Sequence, residues 1–262
     1  MSTKRLISGT VLDNYSLAKD IYFLSLEADI KGIDLKAGNF IHISCPGRNP
    51  VILRRPFSIF KAKDDSISII YKVVGKGTEN LSFLKKNDCV DFIIPCGNSF
   101  DLPPNNNAVV LIAGGIGIAP LEFLLNTFED SSFKGNIYLY YGVTYEEERI
   151  PQSQLTLNGV KYFPHTDYKN GQFDKNLFEF FKENEIEDFL HTYICGPIEM
   201  LKVFSNYLIQ KGKIVQLSLE ENMACGIGAC LGCTIKALDG SLKHVCTDGP
   251  IFYGDKVNFK SL

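Results

Sequence analysis

The chain has 262 residues, a length that suits two or three structural units, and its 45% hydrophobic and 22% charged residues are ordinary for a soluble globular protein. Its net charge of −3 gives no reason to expect nucleic acid binding, and no apolar run approaches the roughly 20 residues that a membrane span needs. The N-terminus leads into a strand-like segment and not into a signal peptide, so we expect a cytoplasmic protein with reduced cysteines.

The first hundred residues predict a small antiparallel β-barrel. Several segments alternate apolar and polar residues, as in Ser66–Ile69, which indicates a half-buried sheet. Gly75–Leu84 predicts a short helix with Thr78 as its N-cap. A polar, proline-containing break at 102–107 places the limit of this first domain at residue 103. The predicted strands are Lys4–Tyr15, Asp20–Glu27, Phe40–Ser44, Arg54–Lys61, Ser66–Val74 and Cys89–Pro95.

The pattern changes after this break. Ala108–Ala113 is a continuous apolar run, as expected for a buried parallel strand. Strands and helices then alternate, which predicts a doubly wound parallel α/β domain over 104–219, followed by a small third unit over 220–262. The further predicted strands are Asn136–Val143, Val160–His165, Thr192–Cys195 and Ile214–Leu219. The predicted helices are Leu121–Phe128, Leu177–Lys182 and Ile198–Lys211.

Four cysteines of the third unit have the spacing of a plant-type [2Fe–2S] cluster, which is Cys, four residues, Cys, two residues, Cys and a distal Cys. They are Cys225, Cys230, Cys233 and Cys246. Glycines at 226, 228 and 232 remove Cβ atoms and allow positive φ, so that the backbone can approach the inorganic sulfides. One alternative is a zinc ion, but structural zinc is usually bound by two Cys-x2-4-Cys pairs and this segment has only one Cys-x2-Cys pair. The other alternative is four unliganded thiols. Three cysteines are predicted to be small core residues: Cys45, Cys89 and Cys96.

Two turns follow buried strands of the second unit. The first runs from Gly114 to Pro120 between a strand and a helix, where backbone N–H groups and the helix dipole favour a pyrophosphate. Its pattern is Gly-x-Gly-x-x-Pro, which differs from the dinucleotide fingerprint, and a tight packing turn is the alternative. The second turn is Cys195–Pro197, in which the glycine between a small side chain and a proline leaves room for a flat ring; the alternative is a simple turn. The candidate nucleotide contacts are Gly114, Gly115, Gly117, Pro120, Cys195, Gly196 and Pro197.

A basic and aromatic segment lies on a predicted barrel strand. Arg55 can pair with a phosphate through its fork of donors, Phe57 can lie against an isoalloxazine ring, and Ser58 can hydrogen-bond a ring heteroatom. Lys72 and the stretch 75–78 combine a basic group, glycines and a helix start, which suits a second pyrophosphate contact. The alternative is a polar edge strand with one buried phenylalanine.

Four motifs, taken in chain order, resemble those of the ferredoxin–NADP reductase superfamily: Arg55–Ser58, Gly77-Thr78, Gly114–Pro120 and Cys195–Pro197. With Leu219–Cys233 added, the chain is similar over essentially its whole length to the electron-transfer subunits of NAD-dependent, two-subunit dihydroorotate dehydrogenases. The cluster signature is the most specific part of this resemblance and the glycine turn the least specific. Two departures are Phe57, where the superfamily often has Tyr, and Ile116, where it often has Thr.

The resemblance implies a barrel that binds FAD, a nucleotide domain that binds NAD, and a C-terminal [2Fe–2S] domain whose ligands are the four cysteines named above. It assigns FAD contacts to Arg55, Pro56, Phe57, Ser58, Ile70, Tyr71, Lys72, Gly77 and Thr78. The implied function is electron transfer from the FMN of a catalytic partner subunit, in a heterotetramer of two chains of each kind, to NAD⁺ in pyrimidine biosynthesis. No side chain is expected to act as an acid or base.

The acidic stretch Glu146–Glu148 favours NAD over NADP, because a 2′-phosphate would be poorly received there. Two other functions stay open. The chain could be the flavin subunit of a ferredoxin-, sulfide- or hydrogenase-linked complex, in which the same parts would serve a different partner. It could also be a non-catalytic redox sensor, which the absence of NADH-dependent flavin reduction would support.

Overall fold

The structure, a computed structural model, describes residues 3–48, 51–63 and 65–262. Its N-terminal part contains one short helix, α1 (Lys76–Ser82). The strands of this part are β1 (Arg5–Ala18), β2 (Ile21–Glu27), β3 (Phe40–Ile43), β4 (Arg55–Ser58), β5 (Lys61–Lys63), β6 (Ser66–Lys72) and β7 (Cys89–Cys96). They form one antiparallel sheet in the order β4-β3-β7-β1-β2-β6-β5.

The sheet curls into the predicted barrel. The ring of Phe57 in β4 lies 5.7 Å from that of Tyr71 in β6, centroid to centroid, although these strands are near opposite ends of the sheet. The predicted strand Arg54–Lys61 divides between β4 and β5. The N-cap prediction is wrong, because α1 follows Gly75 and Thr78 is its third residue. The Thr78 hydroxyl nevertheless accepts hydrogen bonds from the N–H groups of Val74 and Gly75.

The half-buried character predicted from Ser66–Ile69 is also wrong, because β6 is covered on both faces. Ile69 and Tyr71 point into the barrel core. Ile70 on the other face belongs to a second core that the α/β part completes, and Ser68 on that face is buried as well. The alternation correctly indicates two faces, but the outer face meets a second domain instead of water.

The second part of the chain alternates strands and helices as predicted. Its strands are β8 (Val109–Gly114), β9 (Ile137–Val143), β10 (Val160–Thr166), β11 (Tyr168–Lys169), β12 (Gln172–Phe173), β13 (His191–Cys195) and β14 (Ile214–Ser218). Its helices are α2 (Ile118–Asp130), α3 (Leu177–Glu183) and α4 (Ile198–Gln210). Short 3₁₀ turns lie at Gly115–Gly117, Glu146–Glu148 and Gln152–Gln154.

The main sheet of this part has the order β10-β9-β8-β13-β14 with parallel pairing, and β11 and β12 form a separate hairpin. Helix α2 packs on one face, in a core shared with the barrel, while α3 and α4 pack on the other. The predicted doubly wound domain is therefore confirmed. The strand order reverses between β8 and β13, and ligands of such sheets bind beyond the carboxyl ends of the strands at this point.

The C-terminal segment does not form a separate layer. It contains β15 (Thr234–Lys236), β16 (Leu242–His244), β17 (Ile251–Tyr253) and a 3₁₀ turn, Gly254–Lys256. Strand β17 pairs antiparallel with β14 and so forms the edge of the α/β sheet. The predicted domain limits at residues 103 and 219 stay a prediction. In the described residues, no helix combines the length and the apolar character needed to cross a bilayer.

Candidate redox site

The cysteine loop is folded so that backbone N–H groups point at the thiols. Cys225 Sγ accepts from the N–H groups of Cys230 and Ile227, at 3.3 and 3.5 Å. Cys230 Sγ accepts from the N–H of Gly232 at 3.4 Å, and Cys233 Sγ accepts from the N–H of Cys246 at 3.4 Å. Donors of this kind stabilise thiolates and tune a bound cluster, so the local geometry fits an iron–sulfur site.

Glycine is required at two of the three predicted positions of the loop. Gly226 has φ 67° and Gly228 has φ 82°, both in the left-handed region. At the third position the prediction is wrong: the left-handed residue is Leu231, with φ 58°, and not Gly232. The sequence correctly indicated a tight loop, but not which residue takes the unusual conformation.

The four thiols are arranged as two pairs. Cys225 lies beside Cys230 near the surface, and Cys233 lies beside Cys246 in the interior. Burial opposes ionisation of Cys225, but the N–H groups of Ile227 and Cys230 outweigh it and lower the pKa of this thiol to about 6. Burial, together with the neighbouring Cys233, raises the pKa of Cys246 to about 12.

This pairing suits two irons with two thiolates each. Among the described residues, no group of three or more His, Cys, Asp or Glu side chains converges as a ligand set for a single metal ion. A structural zinc ion would need such a set, usually four ligands in a tetrahedron. Four thiols in two pairs match the Cys₄ ligand set of a [2Fe–2S] cluster.

The flavin strand and the start of α1 are brought together. Arg55 donates to the carbonyl oxygens of Leu53 and Arg54, at 3.0 and 3.2 Å. Its Nε would lie 3.4 Å from a Cβ added at Gly77, so the guanidinium stem packs along that glycine. Phe57 contacts the ring of Tyr71 at the mouth of the barrel. The predicted FAD contacts on β4 and α1 are thus neighbours in space.

Ile70 and Tyr71 offer a cofactor only their backbone. Both side chains are buried in cores on opposite faces of β6, and the Tyr71 hydroxyl donates to Asn14 Oδ1 at 3.1 Å. Strand β5 pairs only with Ser66–Ser68, so its ladder ends before residue 70. The edge of β6 at residues 70–72 extends beyond β5, and backbone N–H and C=O groups on such an edge need a partner.

A cleft of about 570 Å³ lies between the barrel and the carboxyl ends of the α/β strands. Lys72 lines it from the barrel, and its Nζ lies 2.8 Å from Glu148 Oε1, which lines the opposite side. Apolar side chains, including Ile116, Met200 and Val203, form much of the wall. A cleft of this shape, with few charges at defined places, is typical of a nucleotide site.

The predicted nucleotide contacts divide into two sets. Gly114, Gly115 and Pro197 line the cleft. Gly115 has φ 54° and open space where a Cβ would be, so its backbone is accessible. The other four do not line the cleft: Gly117, Pro120 and Cys195 are buried, and Gly196 packs against Gly114 and Met200.

Several lining residues were missed from the sequence. Asp167 follows β10 directly, and Glu220 follows β14 by two residues. The signal was available, because both are acidic residues placed just after a buried strand that ends at the ligand edge. Burial raises the pKa of Asp167, although His165, at 3.3 Å, acts against this.

One further missed residue, His42, lies outside the cleft. It is fully buried on β3, and burial lowers the pKa of its imidazole, so the ring is neutral near pH 7. Its ring lies against Gly226 of the cysteine loop, and a contact between residues so far apart in sequence leaves no local signal.

Comparison with known proteins identifies the family to which this chain belongs. A family profile described as the iron–sulfur cluster binding domain of dihydroorotate dehydrogenase B matches residues 220–258, and an oxidoreductase NAD-binding domain matches residues 111–206. The chain is 34% identical over 256 residues to the dihydroorotate dehydrogenase B (NAD(+)) electron transfer subunit of Caldanaerobacter subterraneus subsp. tengcongensis, covering 97% of this chain and 98% of that protein. The chain belongs to this family of electron transfer subunits.

A second relative agrees with this membership, and two solved structures share the fold. The subunit of the same name from Desulforamulus reducens is 33% identical, covering 95% of this chain and 96% of that protein. A structure of an NADH-dependent reduced ferredoxin–NADP oxidoreductase superposes with a TM-score of 0.83 at 23% identity, covering 97% of this chain and 91% of that one. The structure of phthalate dioxygenase reductase superposes with a TM-score of 0.65 at 18% identity, covering 91% of this chain and 75% of that one.

The family and its domains confirm the predicted fold class and the predicted protein class, an NAD-linked oxidoreductase subunit with FAD, a [2Fe–2S] cluster and NAD. Which residues contact each cofactor stays a prediction.

Proposed function

We propose that this chain carries electrons from the FMN of a dihydroorotate dehydrogenase catalytic subunit, by way of a [2Fe–2S] cluster and FAD, to NAD⁺ in the de novo synthesis of UMP. It would do so in the cytoplasm, within a heterotetramer of two chains of each kind. The observation that carries the proposal is spatial. The cysteine segment packs on β3, which is paired with the flavin strand β4, and the nucleotide cleft opens beside β6 of the same barrel.

FAD would be held by β4, β6 and α1. Arg55 supplies a fork of donors for a phosphate, and Gly77 lets the chain approach it without a Cβ. The open edge of β6 at residues 70–72 supplies backbone donors and acceptors for the flavin. Flavin chemistry, when FAD is bound, joins one-electron to two-electron transfer, and the protein contributes position, electrostatics and exclusion of water.

The cluster would be ligated by Cys225, Cys230, Cys233 and Cys246. Phe40 on β3 shares an apolar core with Cys233 and Cys246, which fixes the inner pair against the barrel. The outer pair lies nearer the surface, where electrons can reach it from a partner subunit. We expect none of these groups to act as an acid or a base.

NAD would lie in the cleft, along Gly114, Gly115 and Pro197. The acidic residues that line this cleft favour NAD over NADP. Glu148 and Asp167 line the cleft, and both would repel a 2′-phosphate. Arg149 is occupied, because it donates to both carboxylate oxygens of Glu146, at 2.8 and 2.9 Å, and to the Tyr141 and His165 carbonyls.

The test is anaerobic NADH formation from dihydroorotate by this chain co-purified with its native partner, beside the partner alone. The matched variants are Cys230→Ser and Cys89→Ser, since Cys89 is an exposed cysteine outside the loop. We expect Cys230→Ser to abolish dihydroorotate-dependent NADH formation while NADH still reduces the flavin, and Cys89→Ser to behave as wild type.

Full NADH formation by Cys230→Ser would contradict the relay. A different co-purifying partner, with no NADH formed from dihydroorotate, would favour the ferredoxin-, sulfide- or hydrogenase-linked alternative. If NADH does not reduce a flavin in this chain, the result would favour the alternative of a non-catalytic redox sensor.

A further inference from the structure

His42 lies where the barrel meets the cysteine loop. In β3 the side chains of Ile41 and Ile43 point into the barrel core. His42 therefore points to the opposite face, like Phe40, which packs with the inner cysteine pair. Across the ladder, His42 is the register partner of Pro56 in the flavin strand. Its imidazole is thus one strand away from β4 and directly beneath the loop.

The ring of His42 contacts the residue that follows the first cluster cysteine. A Cβ added at Gly226 would lie 2.5 Å from His42 Nδ1 and 2.9 Å from its Cγ. Lys4 holds the same residue from the barrel side, since its Nζ donates to the Gly226 carbonyl at 3.1 Å. Gly226 is therefore fixed by two barrel side chains, and Cys225 is its immediate neighbour.

The polar atoms of His42 are unsatisfied within the protein. The side chain is fully buried, and among the described residues neither Nδ1 nor Nε2 makes a hydrogen bond of normal geometry, although the backbone of Arg54 and of Cys225 lies near the ring. Buried polar atoms are nearly always paired, so a ring nitrogen in this position can take a partner that is bound at the loop. A neutral imidazole also carries one N–H donor, and such donors near cluster sulfurs change the reduction potential.

We propose that His42 is a positioning residue for the [2Fe–2S] site: its ring fixes Gly226, and with it Cys225, against the strand beside β4, and the ring would offer an N–H donor to a bound cluster. This inference rests on the proposed function only through the presence of the cluster. Groups of this kind orient metal ligands and tune the metal without binding it. The contact would also keep the cluster close to the flavin strand, where electron transfer needs a short path.

The contact is tested in the complex purified with its partner, by iron and acid-labile sulfide per FAD. We expect Gly226→Ala to lower cluster content roughly tenfold, the scale of a lost supporting contact at a metal site. Gly240→Ala is the matched control: its φ of 84° imposes the same kind of strain, but its nearest neighbour is Lys236 Cε at 4.0 Å. In the double variant His42→Ala with Gly226→Ala, the clash is relieved but the supporting ring is also gone, so the cluster content should stay as low as in His42→Ala alone.

The nitrogen is tested with His42→Phe, which keeps an aromatic ring and removes the N–H. We expect this variant to retain its cluster, with a lower midpoint potential and altered g values in the EPR spectrum of the reduced cluster. An unchanged potential and spectrum in His42→Phe, or equal cluster loss in Gly226→Ala and Gly240→Ala, overturns the proposal. Wild-type complex without any [2Fe–2S] signal would instead overturn the proposed function, so the two failures are distinct.

Discussion

Gly117 packs against Cys195 so closely that a Cβ at position 117 would lie 2.3 Å from the Cys195 carbonyl oxygen. Gly117 precedes α2, and Cys195 ends β13, so this contact joins the two strand-to-helix connections at the point where the strand order reverses. The glycine at position 117 is therefore required for this packing.

Gly117→Ala should therefore destabilise the protein by about 1–3 kcal/mol, the usual cost of overpacking, because the obstacle is backbone and cannot rotate away. It should also raise the KM for NADH, since Gly115 lies two residues away in the cleft wall. Urea unfolding and NADH-dependent dye reduction measure the two effects. Gly75→Ser is the control for stability alone, as a Cβ there meets open space. Equal stability of the two variants would contradict the packing argument.

Cysteine accessibility gives a second prediction. Burial raises the pKa of Cys45 and Cys96 to about 11, and it raises that of Cys195 further. Only thiolates react readily, so these three should resist iodoacetamide at pH 8. Cys89, predicted to be buried but in fact exposed, should be labelled.

In the cluster-loaded protein, mass spectrometry of the labelled peptides should find Cys89 alone. After removal of the cluster by a chelator and an oxidant, Cys225 and Cys230 should also react, because Cys230 is exposed and the pKa of Cys225 is about 6. Labelling of Cys225 at the same rate before and after removal would show that it is not a ligand.

The sequence predicted the elements well, because periodicity reports which face of a strand or helix is apolar. The run Ala108–Ala113 correctly indicated a buried parallel strand, seen as β8, and the cysteine spacing correctly indicated an iron–sulfur domain. Periodicity does not report what covers an apolar face. Ser68 is buried because the α/β part packs on the barrel, a contact without any local signal.

The same limit applies to the site. The candidate residues on β4 were adjacent in sequence and could be found together. The open edge of β6 depends on where β5 ends, and the contact of His42 with Gly226 joins a barrel strand to the C-terminal loop. Acidic residues after strand ends, such as Asp167, could have been found with a rule about the ligand edge of open sheets.

Nucleotide preference can be altered at Asp167. Asp167→Ser removes a negative charge from the cleft and replaces a charged acceptor for a ribose hydroxyl by a neutral one, each change worth on the order of 1 kcal/mol. The ratio of kcat/KM for NADH to that for NADPH should fall roughly tenfold or more. Asp174→Ser is the control, because Asp174 pairs with Lys169 and does not line the cleft. An unchanged ratio in Asp167→Ser would remove Asp167 from the nucleotide site.

The ion pair of Glu146 with Arg149 predicts a pH-dependent stability. The two hydrogen bonds from Arg149, helped by one from the Thr166 hydroxyl, hold the pKa of Glu146 below its ordinary value of 4.5. A carboxyl whose folded pKa is depressed stabilises the native state above its unfolded pKa. That contribution is lost as the pH falls through the folded pKa.

Glu146→Gln should therefore lower the urea midpoint at pH 7, and this difference from wild type should shrink as the pH is taken from 5 towards 4 and below. Urea titrations of both proteins at pH 7, 5 and 4 measure it. A stability difference that is the same at pH 7 and pH 4 would show that the Glu146 charge contributes nothing, and that only the shape of the side chain matters there.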